Sequence, residues 1–183
     1  NNTLIFSFSN RISAFDVILN DEIPYKGKVL CDFAFYWFKI LKGKNHFRRR
    51  VDTDKIEVGK LNMIPIECVV RSYLYGSLYT RYLQNSIEIS GTEEYFANND
   101  LQLASKLPGL VFDPTTKSDQ HDKPLSETQI LKNRLLNETE LMQLKKQSLD
   151  LFEQVNTIVS DSGFILSDIK FEFGRDPKTG EIK

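Results

Sequence analysis

The chain has 183 residues and a mass of 21.2 kDa, which is enough for one domain or two small ones. It carries 24 Lys and Arg against 25 Asp and Glu, so its overall charge does not indicate a nucleic-acid or membrane-surface protein. No apolar run approaches the roughly 20 residues that span a bilayer, and Cys31 and Cys68 match neither a disulfide framework nor a CxxC metal motif. These features predict a soluble protein in a reducing, cytoplasmic setting.

The first half of the chain predicts an apolar opening segment, a helix, a buried strand and a second helix. Residues 26–43 have the spacing of an amphipathic helix rich in aromatics, and residues 60–74 predict the buried strand. The basic cluster at 45–50 is interpreted as a solvated loop, because it lacks the aromatic pattern of an RNA-binding motif. The segment "GSLYTRYLQN" predicts a helix that begins at Gly76 and Ser77, and such a helix start suits an anion.

The second half predicts two capped helices followed by a strand. Ser126 with Gln129, and Asn137 with Glu140, have the spacing of capping boxes, and a helical apolar stripe runs on to Gly163. A strand is predicted over 164–173, then a hairpin turn, and the chain stops within a returning strand. We therefore expect the sequence to be the interior of a longer polypeptide.

The stretch "LSDIKFEFG" has one apolar and one fully charged face when it is read as a strand. Side chains alternate along a strand, so Asp168, Lys170 and Glu172 fall on the same side. Two carboxylates that flank an ammonium suit a metal and a phosphate. A solvent-facing strand with no further role is the alternative.

The predicted buried strand also carries charge. Glu67 and Arg71 share a face and lie about 13 Å apart at about 3.3 Å per residue, which is close to the reach of an extended polyphosphate. Buried charges are costly unless they are paired or bound to a ligand. An internal ion pair and a ligand site are equally good explanations at this point.

The polar stretch "FDPTTKSDQHDKP" predicts a loop, because Pro and other turn residues bound it. It supplies hydroxyls, a cation, an imidazole and a carboxylate, although inert loops can have the same composition. Carboxylates for Mg²⁺ and cations for phosphates would suffice for phosphoryl transfer, which needs mainly positioning and charge neutralisation. The relevant side chains of this loop are Thr115, Thr116, Lys117, His121 and Asp122.

Four motifs, "RISAFDV", "IPIECVVRSYLYGS", "FDPTTKSDQHD" and "SDIKFEFG", occur in the order and spacing of the SAICAR synthetase family, which nearly the whole chain resembles. The resemblance implies an ATP-dependent ligase of purine biosynthesis that joins L-aspartate to carboxyaminoimidazole ribotide and releases ADP and phosphate. It implies an α+β fold with a kinase-like N-terminal antiparallel β lobe, a larger α+β domain, and ATP between them. The corresponding domains would be 1–66 and 67–183, incomplete at the start and at the end respectively.

The resemblance also implies a nucleotide and metal site. The backbone near Met63 would contact adenine, and Glu67, Asp168 and Lys170 would bind ATP. Glu172 and Asp168 would bind Mg²⁺, which answers why one strand face is charged.

The same motifs imply a substrate site and a catalytic loop. Asn10 departs from the Asp that many members have before the Arg, and two expected segments are absent, a Lys-bearing N-terminal loop and a downstream segment with a metal carboxylate and an arginine. The ribotide phosphate would be held by Arg71, Gly76 and Ser77, the imidazole bordered by Ser13, Ala14 and Asp16, and the reacting carboxylate covered by Lys117, His121 and Asp122, with Lys170 also catalytic.

Two alternatives to the ligase remain open from sequence. Another kinase-like phosphotransferase would need no aspartate, and an inactive fragment would hold the nucleotide without turnover. The oligomeric state is also open, with a homo-oligomer among the options.

Overall fold

The structure is a computed structural model that describes residues 2–14, 17–97, 100–117 and 122–183. Its elements are helices mixed with antiparallel strands, so the predicted α+β class is confirmed. The chain divides into two compact units, one of residues up to Asn62 together with Gly174–Lys183, and one of Met63–Phe173. The functional division at residue 66 remains a prediction. No helix in the described part of the chain is long and apolar enough to cross a membrane.

The first unit contains a three-stranded antiparallel sheet, a hairpin and one helix. The sheet has the order β1-β5-β4, and β2 pairs with β3 in the hairpin. The helix buries Cys31, which packs with Ile56 and Val58 of the sheet, and all three are fully buried. The elements are β1 (Thr3–Ser7), β2 (Arg11–Ala14), β3 (Val17–Glu22), α1 (Lys26–Ile40), β4 (Phe47–Asp52) and β5 (Lys55–Gly59).

For the basic cluster the sequence prediction is wrong. Residues 47–50 belong to β4 and not to a loop, because the sheet pairs them with β5. Arg49 forms an ion pair with Glu57 at 2.7 Å, and Arg50 with Asp32 at 2.6 Å. The cluster therefore lies on an edge strand, where Arg49 and Arg50 are matched by carboxylates of the same unit.

The second unit is built around one long strand, β6, which pairs with β7, β8 and β9. Helix α2 packs its buried Leu78 and Tyr82 against Leu107 and Val111 of β7. The elements are β6 (Asn62–Tyr73), α2 (Gly76–Leu83), α3 (Glu93–Phe96), β7 (Lys106–Phe112), β8 (Thr115–Thr116), α4 (Glu127–Lys132), α5 (Glu138–Asp161) and β9 (Asp168–Arg175).

Strand β6 is buried on both faces in its middle section, as its sequence predicts. The even positions form a wholly apolar face that is at most 1% exposed, whereas Glu67 and Val69 on the other face are 5% and 6% exposed. The even-position side chains are Ile64, Ile66, Cys68 and Val70.

The helix starts agree with the sequence prediction, and the end of α5 explains why the last strand begins later than predicted. Both predicted capping boxes are formed, at the starts of α4 and α5. After α5, Gly163 has a φ of 80° and the Phe164 backbone N–H donates to Val159 at 3.0 Å. Residue 164 therefore closes the helix, and β9 begins at Asp168 and not at the predicted 164.

The predicted hairpin turn after β9 is confirmed. Gly174 and Lys183 exchange two backbone hydrogen bonds of 3.0 Å, and Gly180 has a φ of 71°, where glycine is favoured.

Candidate active site

Glu67 is the buried centre of the first of two charged clusters in the second unit. Its carboxylate Oε2 accepts a hydrogen bond from Lys170 Nζ at 2.8 Å and lies 3.4 Å from the Thr115 hydroxyl. Because Glu67 lies on β6, Lys170 on β9 and Thr115 on β8, the pairing of three strands brings the contact together. A carboxylate buried to this extent is costly without such partners.

Lys170 links the buried carboxylate to the exposed loop. Its ammonium also lies 3.7 Å from the Asp122 carboxylate. The hydrogen bond that Lys170 donates to Glu67 is the main cause that raises the pKa of Lys170, with Asp122 and Glu172 acting in the same direction. Lys170 therefore stays protonated at neutral pH, and any stability that its raised pKa contributes is lost only as the pH rises above its ordinary value of 10.5.

Lys117 and Glu172 complete this first cluster. The ammonium of Lys117 contacts the Glu172 carboxylate at 2.5 Å, and both side chains are partly exposed. Together with Lys170, Glu67 and Asp122, they place two ammonium groups among three carboxylates. We call these five residues the Lys170 cluster, and its described members have one excess negative charge.

The net charge of the Lys170 cluster bears on the predicted magnesium ion. Mg²⁺ in phosphate-transfer sites is usually bound through one or two carboxylates together with substrate phosphates. Asp168 and Glu172 are exposed on the same face of β9 but four residues apart, so each fits as a separate ligand beside a nucleotide. Among the described residues, no three His, Cys, Asp or Glu side chains are grouped closely enough to form a metal cage.

A second cluster surrounds Arg71, on the same face of β6 as Glu67. Arg71 Nε donates to Asp113 Oδ2 at 2.8 Å, and its Nη2 donates to the Ser77 hydroxyl at 3.1 Å. Arg81 Nη2 contacts the same Asp113 oxygen at 2.5 Å. Arg71, Ser77, Arg81 and Asp113 are the Arg71 cluster, and its two guanidinium groups outnumber its one carboxylate.

The start of α2 lies in the Arg71 cluster for reasons of local sequence. Gly76 has a φ of 57°, a backbone conformation that residues other than glycine rarely adopt. It begins the helix directly after Tyr75, whose backbone is extended. The next residue is Ser77, whose hydroxyl contacts Arg71. A phosphate at this point would face helical N–H groups as well as arginine.

The remaining predicted site residues are spread over both units. Met63 is at the start of the β6 section in the second unit and is 49% exposed. Ser13 and Ala14 pair with Ile18 and Val17 in the β2–β3 hairpin of the first unit. Asp16 and His121 lie outside the described residues.

Two residues of the Arg71 cluster were not selected from sequence. Asp113 is 1% exposed and follows β7 directly, within the polar stretch of residues 112–124. Arg81 is four residues after Ser77, so it lies one helical turn along the same face. Two sequence signals could have indicated these residues. Asp113 is a charged residue immediately after a buried strand, and Arg81 has helical spacing from Ser77.

The candidate site is defined by the two charged clusters, and a small cavity of about 110 Å³ is lined in part by Arg81 and Asp113 of the Arg71 cluster. A cavity of about 630 Å³ in the second unit is lined by other residues, among them Tyr82, Ile89 and Phe96. None of the site residues predicted from sequence that the structure describes lines it.

Glu67 and Arg71, for which the sequence left an internal ion pair open, have separate partners in the structure. Glu67 is paired with Lys170, and Arg71 is paired with Asp113. One face of β6 therefore presents a cluster with excess negative charge at Glu67 and a cluster with excess positive charge at Arg71. The residues are about 13 Å apart at about 3.3 Å per residue. This arrangement suits a metal-bound nucleotide at one end and a phosphomonoester at the other.

Comparison with known proteins agrees with this architecture. The SAICAR synthetase family matches residues 1–183, and the chain belongs to that family. A phosphoribosylaminoimidazole-succinocarboxamide synthase of Nitrosopumilus maritimus is 43% identical over 173 residues, which cover 94% of this chain and 60% of the relative. One from Rhodococcus erythropolis is 34% identical over 184 residues, with 94% and 60% covered. The chain thus spans about 60% of the length of these curated relatives.

Solved structures of the same family have this fold. A SAICAR synthase from Saccharomyces cerevisiae complexed with SAICAR aligns with a TM-score of 0.83 at 27% identity, covering 98% of this chain and 65% of that one. A SAICAR synthetase in complex with ADP aligns with a TM-score of 0.82 at 27% identity, covering 100% of this chain and 72% of that one.

Proposed function

We propose that the protein containing this chain is an ATP-dependent ligase that joins L-aspartate to carboxyaminoimidazole ribotide and produces SAICAR, ADP and phosphate. The observation that carries the proposal is the pair of oppositely charged clusters on one face of β6, about 13 Å apart. Membership of the SAICAR synthetase family and the SAICAR and ADP complexes of its solved members support the choice of substrates.

In this proposal the Lys170 cluster serves ATP. Lys170 contacts the transferring phosphoryl group, Glu67 holds Lys170 in place, and the backbone near Met63 contacts adenine. Asp168 and Glu172 are each a proposed Mg²⁺ ligand, at separate positions along β9, and bound Mg²⁺ would neutralise charge on the phosphates. The exposure of both side chains supports that role, and Glu172 also belongs to the cluster with excess negative charge.

The Arg71 cluster serves the ribotide. Arg71, Gly76 and Ser77 bind its phosphate, and Ser13, Ala14 and Asp16 border its imidazole. Lys117, His121 and Asp122 orient the carboxylate that reacts. The excess positive charge around Arg71 supports the assignment of the phosphate.

The function is tested by measuring ADP release from the complete protein with each substrate omitted in turn. We expect release to require the ribotide and aspartate together. Release without aspartate, accompanied by a phosphorylated product, would instead identify a kinase-like phosphotransferase. ATP binding without any turnover would identify an inactive nucleotide-binding protein.

We further propose that the reaction passes through an acyl phosphate. A carboxylate oxygen of the ribotide attacks the terminal phosphorus of ATP and ADP leaves; the aspartate amine then attacks the acyl carbon, forms the amide, loses a proton and expels phosphate. Binding both reactants in fixed positions would lower the barrier of each step. With ¹⁸O in the substrate carboxylate, we expect one labelled oxygen in the released phosphate. If the released phosphate contained no ¹⁸O and all the label stayed in the ribotide product, this route would be contradicted.

The Glu172→Gln substitution tests the metal role. We expect the Mg²⁺ concentration for half-maximal rate to rise, because a neutral amide is a poorer ligand for a hard cation than a carboxylate. The side chain keeps its size and an oxygen that can still accept from Lys117. The matched control is Asp150→Asn, which removes a carboxylate paired with Lys146 on α5. Superimposable magnesium curves for Glu172→Gln and wild type would exclude Glu172 as a ligand.

A further inference from the structure

Asp113 is the most deeply buried charged group of the Arg71 cluster, and it touches two cations through one oxygen. Its side chain is 2% exposed, and Oδ2 accepts from Arg71 Nε at 2.8 Å and from Arg81 Nη2 at 2.5 Å. Its backbone N–H donates to Val69 on β6 at 2.8 Å. The carboxylate is therefore fixed from the strand that also carries Arg71.

The contact with Asp113 leaves the outer part of the Arg71 side chain available. Asp113 binds Nε, whereas Nη2 points to the Ser77 hydroxyl at the start of α2. A guanidinium has five donors in a rigid plane, so fixing Nε sets the direction of the terminal nitrogens. Asp113 thereby orients Arg71 towards Ser77.

One carboxylate paired with one arginine would cancel the charge that attracts a phosphate. Arg81 changes this balance, since its guanidinium contacts the same carboxylate and is only 13% exposed. Arg81 Nε is also buried without a hydrogen-bond partner among the described residues. The cluster thus has one more positive charge than negative, in a setting where water screens it weakly.

We propose that Asp113 and Arg81 are a positioning pair for the phosphate site: Asp113 aims Arg71, and Arg81 restores the positive charge that Asp113 would otherwise cancel. Neither residue needs to touch the ligand. The proposal rests on the proposed function in one respect, namely that the phosphate of the ribotide binds at Arg71 and Ser77.

The test compares variants of equal net charge. Asp113→Ala/Arg81→Gln and Asp113→Asn/Arg81→Gln both keep the single excess positive charge, but only the second keeps an oxygen that can accept from Arg71 Nε. Removing a carboxylate and a cation together also avoids leaving either one buried and unpaired. The complete protein is titrated with the ribotide and with the corresponding riboside, which lacks the phosphate.

The readout is the preference for ribotide over riboside, because loss of folded protein lowers the apparent affinity for both ligands equally. We expect Asp113→Ala/Arg81→Gln to lose about tenfold or more of this preference, as for loss of one charge-assisted contact, and Asp113→Asn/Arg81→Gln to retain part of it. The Arg81→Gln single variant keeps the Asp113 contact and tests charge alone, and we expect its preference to fall as well. Asp150→Asn serves as the control and should behave as wild type.

Three results would count against the proposal. An Asp113→Ala/Arg81→Gln protein with the wild-type preference would overturn the positioning role, and an unchanged preference in Arg81→Gln would overturn the charge role. Should the alanine variant fail to fold, Arg81→Gln still decides the charge role, and Asp113→Leu/Arg81→Gln, which fills the space of the carboxylate but has no acceptor, decides the positioning role: a wild-type preference in it would overturn that role. A wild type without any preference for the phosphate would overturn the phosphate assignment in the proposed function itself.

Discussion

Replacing Lys170 with methionine is expected to lower kcat by about 10²-fold or more while ATP still binds. Lys170 is the proposed donor to the transferring phosphoryl group, and loss of one preorganised donor to developing charge has an effect of this size. Methionine keeps most of the side-chain length but cannot donate. The measurement is steady-state kinetics of the complete protein, with the ATP Kd determined by calorimetry.

The same substitution also removes the cation from Glu67, which is 5% exposed. Among the described residues the Glu67 carboxylate would keep only the Thr115 hydroxyl at 3.4 Å, so we expect the free energy of unfolding to fall by about 1–3 kcal/mol. Kinetics must therefore be corrected for the folded fraction. Lys146→Met is the matched control, because Lys146 pairs with Asp150 on exposed α5. A folded Lys170→Met protein with kcat within twofold of wild type would show that the lysine serves the fold alone.

Arg71→Ala is expected to weaken ribotide binding by about 1.5–3 kcal/mol, which corresponds to an increase of about 10- to 150-fold in Kd. A donor to a phosphate that is remote from the reacting carboxylate holds the substrate equally in the ground state and the transition state. The effect should therefore appear in KM for the ribotide and leave kcat nearly unchanged. Asp113 still keeps Arg81 as a partner, so the carboxylate is not left alone.

Ser77→Ala provides the graded comparison for Arg71→Ala. Its neutral hydroxyl is expected to contribute about 0.5–1.5 kcal/mol, so KM should rise by about 2- to 10-fold. Michaelis constants for both variants, measured under saturating ATP and aspartate, give the comparison. A large fall in kcat at an unchanged ribotide KM would assign Arg71 to the chemical step and contradict phosphate binding.

Sequence predicted the local elements of this protein well because their signals are local. The capping boxes at Ser126 and Asn137 depend on residues three positions apart, and the alternation in β9 on residues two apart. Both are present in the structure as predicted. The predicted start of β9 is too early because the Phe164 backbone N–H donates to Val159 of α5, in the turn at Gly163 that ends the helix.

The partners of the charged residues could not be predicted in the same way. Arg71 and Asp113 are 42 residues apart in the chain, and Glu67 and Lys170 are 103 apart. Only the pairing of β6 with β7 and β9 brings them together. Sequence spacing indicated that Glu67 and Arg71 needed partners, but the choice between an internal pair and separate partners required the sheet.

The alternation along β6 gives the strand two separable tasks. Even positions from Ile64 to Val70 are packed into the core, whereas Glu67 and Arg71 at odd positions carry the two charged clusters. Neighbouring residues of β6 are thus under different constraints: side-chain volume at the even positions, and the placement of charge at Glu67 and Arg71. A substitution at Glu67 or Arg71 can consequently alter charge placement while the apolar face of the even positions keeps its own side chains, whereas an insertion of one residue would exchange the two faces and disrupt both.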